Sequence, residues 1–302
     1  MTQVGRTSAP LLLLRLLGRA AVAWARDGAS SMGAAIAFYA LISLPPAVAV
    51  TLEMASFTLD PGAVREALLS QIQMLWGADA AVTTTAIAHY AVRSHSSQWF
   101  TWVALAISLV TASTVFVEMR RSLDFIWGKG NAGAVAGVVI SRLVAFGVLA
   151  ILGVALWASV LASTLLQAAD TRYLEQFGVT AIVLGMAGNA VTGILILVLL
   201  ALLYKLLPAH RVAWVDAWSG ASVVTCLYLV GKEGIAYYLG SQTIAPTFGG
   251  GIAGALVVLL LWFYYSAQIF LYGAELSHEV SLERESAGQS GARHGEGNPV
   301  PP

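Results

Sequence analysis

The chain has 302 residues, of which 58% are hydrophobic and only 11% are charged, and its mean hydropathy is +0.77. Soluble domains carry roughly 25% charged residues, so this composition excludes an ordinary soluble domain and predicts an integral membrane protein. Sixteen basic and sixteen acidic residues give a formal charge of zero, which leaves no global basic field to recruit nucleic acid. The single cysteine, Cys226, excludes an intramolecular disulfide.

The first 28 residues predict a cytoplasmic helix that lies in the membrane interface. Arg15, Arg19 and Arg26 would share one helical face, with leucines on the other faces. An ordinary basic flank of the first span is the alternative, and both readings place the N-terminus in the cytoplasm. A cleaved signal peptide is not expected, because Arg15 interrupts the apolar run after four leucines.

Six apolar stretches of nearly membrane-spanning length follow, and they predict an all-α integral membrane protein built as a bundle of six transmembrane helices. Short helices are expected in the first outside loop. The predicted membrane domain covers 29–280, and the Gly- and Ser-rich tail over 281–302 is expected to be disordered and cytoplasmic. The predicted spans are 32–52, 99–116, 143–166, 179–203, 218–235 and 251–272.

The basic residues predict the orientation of these spans. With the N-terminus inside, twelve of the sixteen basic residues fall in segments on the inner side. The positive-inside rule then gives a multi-pass protein with both termini cytoplasmic.

Polar and prolyl groups in or beside a membrane are costly, so a concentration of them suggests a cavity or pathway. Pro45 and Pro46 lie in the outer half of the first predicted span, and either a cavity-shaping kink or a packed kink would explain them. Glu53, Lys232 and Glu233 could form a pocket on the outer side. Alternatively, they are ordinary interfacial charges that do not contact one another. The candidate cavity or pathway residues are Tyr39, Ser43, Pro45, Pro46, Glu53, Lys232, Glu233 and Gln268.

A second set of charges would lie at the cytoplasmic ends of the helices. Glu118, Arg121 and Asp124 follow at three-residue steps, so a continued helix would place Arg121 between two carboxylates. Glu275 is expected to pair with Arg211, Arg120 or Arg121. This set of charges could act as a structural ion-pair cap on the bundle or as a gate, and the sequence is compatible with both. The candidate cytoplasmic ion-pair cluster is Glu118, Arg120, Arg121, Asp124, Arg211, Asp216 and Glu275.

Three blocks of sequence carry a recognisable pattern: AIAFYALISLPP in the first span, YKLLPAHRVAWVDAWSGA after the fourth, and LLLWFYYSAQIFLYGAELSHEV at the last. Together they resemble the YihY/BrkB family of bacterial inner-membrane proteins. Two departures are Phe248 followed by three glycines, where relatives show a Tyr-Gly turn, and Asp124, where relatives often carry Asn. The resemblance implies six membrane helices in the bacterial inner membrane and does not supply a settled activity.

The ribonuclease label once given to relatives is not expected to apply, because the five histidines are scattered and metal-dependent hydrolysis needs clustered ligands. No enzyme, cofactor or metal site is expected. The expected partners are membrane lipids and a small amphiphilic substrate, without nucleic acid, and the sequence leaves homo-oligomer formation open. Two functions are compatible with it, a transporter-like or lipid-handling protein and a non-transporting envelope scaffold or interaction protein.

Overall fold

The computed structural model describes residues 9–56, 98–128, 181–240 and 251–295, together with the single positions 139, 143 and 147. All regular secondary structure in these residues is α-helical, which confirms the all-α class for this part of the chain. The helices are α1 (Ala9–Arg26), α2 (Ala29–Ser56), α3 (Gln98–Ile126), α4 (Ala181–Leu206), α5 (Trp214–Gly240) and α6 (Gly251–Gly295).

These helices are not simply the six predicted spans. α1 corresponds to the predicted N-terminal helix. α2, α3, α5 and α6 contain the first, second, fifth and sixth predicted spans, and α4 contains the fourth from residue 181 onward. The predicted third span lies outside the described residues except for helical positions 143 and 147. The loop helices predicted between the first two spans also lie outside them.

α6 is the helix around which the others are arranged. It packs against α1, α2, α3 and α5, while α2 runs along α3 and α4 packs on α5. With 45 residues it is about 67 Å long, which exceeds the roughly 30 Å of a hydrocarbon core. Part of α6 therefore extends beyond any span that it contains.

α5 and α6 make a close backbone contact through two glycines. A Cβ atom at Gly220 would stand 2.3 Å from the carbonyl oxygen of Gly273, so no side chain fits between these backbones. Beside them the hydroxyl of Tyr204 on α4 donates a hydrogen bond to the carbonyl of Phe270 at 2.6 Å. The two aromatic rings stack with centroids 5.1 Å apart. α4, α5 and α6 are thus fixed at one buried point.

Two glycines with positive φ end helices at the same end of the bundle. Gly28, with φ of 70°, follows Asp27 in the turn between α1 and α2, whose axes differ by 74°. Gly128, with φ of 69°, follows α3 and donates to the carbonyl of Phe125 at 3.0 Å. L-residues avoid this left-handed region, so these two positions favour glycine.

The turn at Gly28 directs α1 back onto α6. Leu16 and Ala20 are buried against Leu276, and the hydroxyl of Tyr272 donates to the carbonyl of Leu17 at 3.1 Å. Arg19 forms ion pairs with two carboxylates of α6, 2.8 Å from Glu279 and 3.2 Å from Glu283. The position of α1 in a membrane interface stays a prediction, and its leucines 11–14 are exposed.

The prediction of a disordered tail from residue 281 is wrong as far as residue 295, because α6 continues through Gly295. The physical reason lies in contacts with other helices. Arg284 and Glu283, both within the predicted tail, pair with Asp216 of α5 and Arg19 of α1. These interactions hold a polar segment as helix although its composition alone favours disorder.

Within the described residues, length and hydropathy single out one bent pair of helices, Leu11–Arg26 with Ala29–Leu44, as sufficient together to cross a membrane. No single helix in those residues meets the same criterion alone.

Candidate functional site

Charged and aromatic side chains meet at one end of the bundle, and we call them the polar cluster. The helix ends supply them because α3 stops at Ile126, α4 stops at Leu206, and the turn of α1 into α2 lies beside them. The polar cluster consists of Arg26, Asp27, Glu118, Arg120, Arg121, Asp124, Trp127, His210, Asp216, Glu275, His278, Glu279 and Arg284.

Asp124 is the buried anchor of α3, with 5% of its surface exposed. One carboxylate oxygen lies 3.4 Å from Nε of buried Arg120, and the other accepts the backbone N–H of Ala209 at 2.6 Å. The prediction that Arg121 lies between Glu118 and Asp124 is therefore wrong. Successive helical residues are rotated by about 100°, so Arg120 faces inward while Arg121 faces outward, 3.7 Å from Glu118.

Asp216 forms the corresponding anchor of α5 and is 2% exposed. Its Oδ1 accepts a hydrogen bond from Nη1 of Arg284 at 2.7 Å. Its backbone carbonyl accepts the hydroxyl of Ser277 at 2.8 Å. Arg211, in the preceding loop, is exposed and belongs to none of the ion pairs among the described residues.

Glu275 is buried in the middle of α6 with 1% of its surface exposed, and its Oε1 has no hydrogen-bond partner among the described residues. The predicted pairing with Arg211, Arg120 or Arg121 is wrong, because the charged groups that act on Glu275 are Asp27, Glu279 and Arg26. Burial raises the pKa of Glu275 to about 7, the carboxylates of Asp27 and Glu279 add to the rise, and Arg26 opposes it. Two of these three charged groups, Asp27 and Arg26, lie where α1 turns into α2, and the third, Glu279, is on α6 itself.

Trp127 lies between two histidines from distant parts of the chain. Its ring stacks on His210 with centroids 5.0 Å apart and tilts against His278 at 4.8 Å. Burial lowers the pKa of His278, which favours the neutral imidazole. The three rings join the end of α3, the loop after α4 and α6.

We expect Glu275→Gln to remove a pH dependence of stability. A carboxyl whose pKa rises from 4.5 to about 7 on folding stabilises the native state fully below pH 4.5, and this contribution is lost as the pH rises through about 7. After screening by solvent, about 1–2 kcal/mol should be lost between pH 5 and pH 8. Thermal unfolding of the detergent-purified protein across this range measures it.

Glu285→Gln, on the exposed surface of the same helix, is the matched control for Glu275→Gln. Burial lowers the pKa of His278, so the contribution of His278 has the opposite sign and adds stability as the pH rises. The difference between wild type and Glu275→Gln therefore isolates Glu275. Parallel pH profiles for the two proteins would contradict the assignment.

A cleft of about 420 Å³ opens beside the α1–α2 turn, between α2 and α3. Its wall combines ionic, hydroxyl and apolar side chains, a mixture that suits a ligand with a polar and an apolar part. We call it the α2–α3 cleft, and its lining residues are Asp27, Gly28, Ser31, Met32, Glu118, Arg121, Ser122 and Phe125.

The predicted cavity residues do not converge where the structure describes them. Ser43 donates to the carbonyl of Ala40 in its own helix at 2.9 Å, and Tyr39 packs edge-on against Phe38. Gln268 lies against Gly33 of α2, and its Nε2 donates to the carbonyl of Ser30 at 3.3 Å.

The other predicted cavity residues are not placed together by any described contact. Lys232 is half-buried in α5. The backbone of α2 is helical through Pro45, Pro46 and Glu53, and that of α5 through Glu233. The side chains of these four residues lie outside the described part of the structure, so the outer pocket and the proline kink stay predictions.

Sequence reasoning singled out Glu118 and Arg121 but missed the other six residues that line the α2–α3 cleft, Asp27, Ser31 and Phe125 among them. The Asp27-Gly28 pair is a turn signal that could have indicated a sharp change of direction between two helices. No comparable signal identifies Phe125. Three or more His, Cys, Asp or Glu side chains placed to share a metal ion are absent from the ranges that the structure describes.

Comparisons with known proteins identify the family. The model of the family described as "Virulence factor BrkB" matches residues 20–297. A "UPF0761 membrane protein" of Ralstonia nicotianae is 27% identical over 196 residues, which cover 64% of this chain and 42% of the relative. Proteins with the same description from Tolumonas auensis and Yersinia pestis are each 37% identical, over 76 and 91 residues.

The matched regions are only part of the relatives. They cover 25% of both chains for the Tolumonas auensis protein, and 28% of this chain and 30% of the relative for the Yersinia pestis protein. The chain therefore spans less than half the length of these curated relatives. No solved structure matches it significantly. The family model covers most of the chain and supports the resemblance of the three sequence blocks, and the chain is thus a membrane protein of the YihY/BrkB family.

Proposed function

We propose that this membrane protein handles an amphiphile, and that the α2–α3 cleft is where the amphiphile binds. One observation carries the proposal, namely that the cleft presents ionic groups of Asp27, Glu118 and Arg121 beside the apolar side chains of Met32 and Phe125. An amphiphile has both kinds of surface, whereas a small polar solute would leave Met32 and Phe125 without a contact. The cleft has a volume of about 420 Å³ and is open rather than enclosed.

The exteriors of the helices support a lipid environment around this site. Large apolar side chains are exposed on several helices, beyond the scattered few that a soluble surface carries. Examples from α2 to α6 are Phe38, Val110, Ile194, Val230 and Leu261.

The proposal places the protein in the bacterial inner membrane as a multi-pass protein with both termini cytoplasmic. The predicted topology places twelve of the sixteen basic residues on the inner side, and by the positive-inside rule this supports the orientation. The α2–α3 cleft would then open at the cytoplasmic membrane surface, where lipid head groups lie. A reporter fused after Asp124 should read as cytoplasmic, and a periplasmic signal would contradict the orientation.

The proposed function is tested by identifying the molecules that co-purify with the protein. We expect a lipid or another amphiphile to co-purify in detergent and to be identified by mass spectrometry. Ser31→Trp, which fills part of the cleft, should lower the bound amount by roughly tenfold, corresponding to loss of one good contact. Translocation of the identified amphiphile in reconstituted vesicles should fall with it.

Ala34→Trp is the matched control, because Ala34 is exposed on the same helix, one turn further on, and does not line the cleft. It should retain the bound amphiphile. Equal loss in both variants would argue against the cleft as the site. Absence of any co-purifying amphiphile from the wild type would favour the envelope scaffold.

A further inference from the structure

The ionic groups of the α2–α3 cleft are of both signs and are only loosely engaged. Nη1 of Arg121 is 3.7 Å from Oε2 of Glu118, which is longer than the 2.7–3.2 Å of a hydrogen bond. The side chain of Arg121 is 76% exposed. Both partners therefore keep hydrogen-bonding capacity for a ligand, five N–H groups on the guanidinium and the oxygens of the carboxylate.

The second carboxylate of the cleft, Asp27, is fixed from outside the cleft. Nε of Arg26 lies 3.0 Å from its Oδ1, and the side chain of Asp27 is 20% exposed. The lining itself thus carries one guanidinium and two carboxylates. A purely anionic ligand would be attracted by Arg121 and repelled by Asp27 and Glu118. A purely cationic ligand would be attracted by the two carboxylates and repelled by Arg121.

We propose that the α2–α3 cleft selects a zwitterionic head group that carries a primary ammonium and a phosphate. The phosphate would accept hydrogen bonds from Arg121, whose planar fork suits a phosphate. The ammonium would donate to Glu118 and Asp27. The apolar part of the ligand would lie along Met32 and Phe125, which are in the same wall.

This proposal rests on the proposed function, since it names the class of amphiphile that the cleft would take. The bound head group would separate Glu118 from Arg121. It would replace their one distant contact by two charge-assisted hydrogen bonds, one from Arg121 to the phosphate and one from the ammonium to Glu118. An exposed pair of this kind contributes little to stability, so opening it costs little. The site therefore needs no rearrangement of the buried anchors Asp124 and Asp216.

The test measures binding of short-chain lipids to the detergent-purified full chain by isothermal titration calorimetry. The probes are dihexanoyl phosphatidylethanolamine, phosphatidylcholine and phosphatidylglycerol. They share acyl chains and phosphate, and their head groups carry a primary ammonium, a quaternary ammonium and no amine, respectively. We expect the ethanolamine lipid to bind roughly tenfold more tightly than the glycerol lipid, as one charge-assisted hydrogen bond gives. The choline lipid, whose quaternary ammonium has no N–H donor, should be intermediate.

Two variants assign the contacts. Arg121→Gln should weaken binding of all three lipids by roughly tenfold, and Glu118→Gln should reduce the preference for ethanolamine over glycerol to roughly threefold or less. Both residues form only the loose pair, so both variants should fold. Arg15→Gln, exposed on α1 and outside the cleft lining, is the control and should bind like wild type.

The outcomes separate the two proposals. Equal or tighter binding of the glycerol lipid would overturn the zwitterion selectivity and leave an amphiphile site intact. Binding of none of the three lipids would count against both proposals. Free O-phosphoethanolamine that binds as tightly as its lipid would overturn the amphiphile as the source of the head group. If Arg121→Gln and Glu118→Gln both bind the ethanolamine lipid as tightly as wild type does, the lipid does not bind in the α2–α3 cleft.

Discussion

Gly220→Ala is expected to lower the free energy of unfolding by about 2–3 kcal/mol, the usual cost of forcing an extra methyl group into a packed contact. The added Cβ would stand 2.3 Å from the carbonyl oxygen of Gly273 and 3.2 Å from Cβ of Ser277. A backbone oxygen cannot move aside as a flexible side chain can. α5 and α6 would have to separate, and the stacked ring of Tyr204 beside them would lose contact.

The matched control for Gly220→Ala is Gly234→Ala in the same helix. A Cβ at Gly234 would have no atom of the described residues within 4 Å, so the higher helix propensity of alanine should leave stability unchanged or raise it by up to about 1 kcal/mol. Thermal unfolding in detergent compares the two variants directly. A Gly220→Ala protein as stable as Gly234→Ala would show that the close contact of α5 with α6 is not required.

Asp124→Ala is expected to cost about 3–5 kcal/mol, because it leaves a buried guanidinium without its partner. Arg120 would lose the carboxylate 3.4 Å from its Nε, and the N–H of Ala209 would lose its acceptor. Asp124→Asn keeps an oxygen that can accept from Ala209 and should cost less. The double replacement Arg120→Met with Asp124→Leu should recover most of the loss, since no buried charge then remains.

The neighbouring exposed pair supplies the control for Asp124→Ala. Arg121→Gln breaks the contact with Glu118 at 3.7 Å and should cost less than about 1 kcal/mol. Equilibrium unfolding of the single and double variants gives a double-mutant cycle for Arg120 and Asp124. A double variant that is no more stable than Asp124→Ala would contradict the buried-charge explanation.

Apolar length and flanking charge were enough to predict the helices, because both act along one segment. The runs 32–52 and 218–235 lie inside described helices, and α4 contains the run 179–203 from residue 181 onward. α3 continues past the second run as helix through Glu118 and Asp124. The N-terminal helix was also expected from its leucines and arginines. Its docking on α6 was not, since the sequence gives no distance between segments.

The site was harder to predict, because its contacts depend on the rotation of each helix against its neighbours. Arg120 and Arg121 have the same chemistry and adjacent positions, yet only Arg120 faces Asp124. Glu275 was expected to pair with an arginine at 120, 121 or 211, but the charged groups that act on it are Asp27, Glu279 and Arg26. Three-residue spacing describes one helix and cannot choose between partners on different helices.

The ion pair of Arg19 with Glu283 joins residues 264 positions apart, and this has a consequence for how the protein is made. At the usual rate of translation, on the order of tens of seconds would pass between synthesis of α1 and synthesis of its partner on α6. During that interval the exposed leucines at 11–14 could rest on the bilayer surface, which suits the interfacial position predicted for α1. We therefore expect docking of α1 to be a late step of biogenesis, completed only when α6 has been inserted.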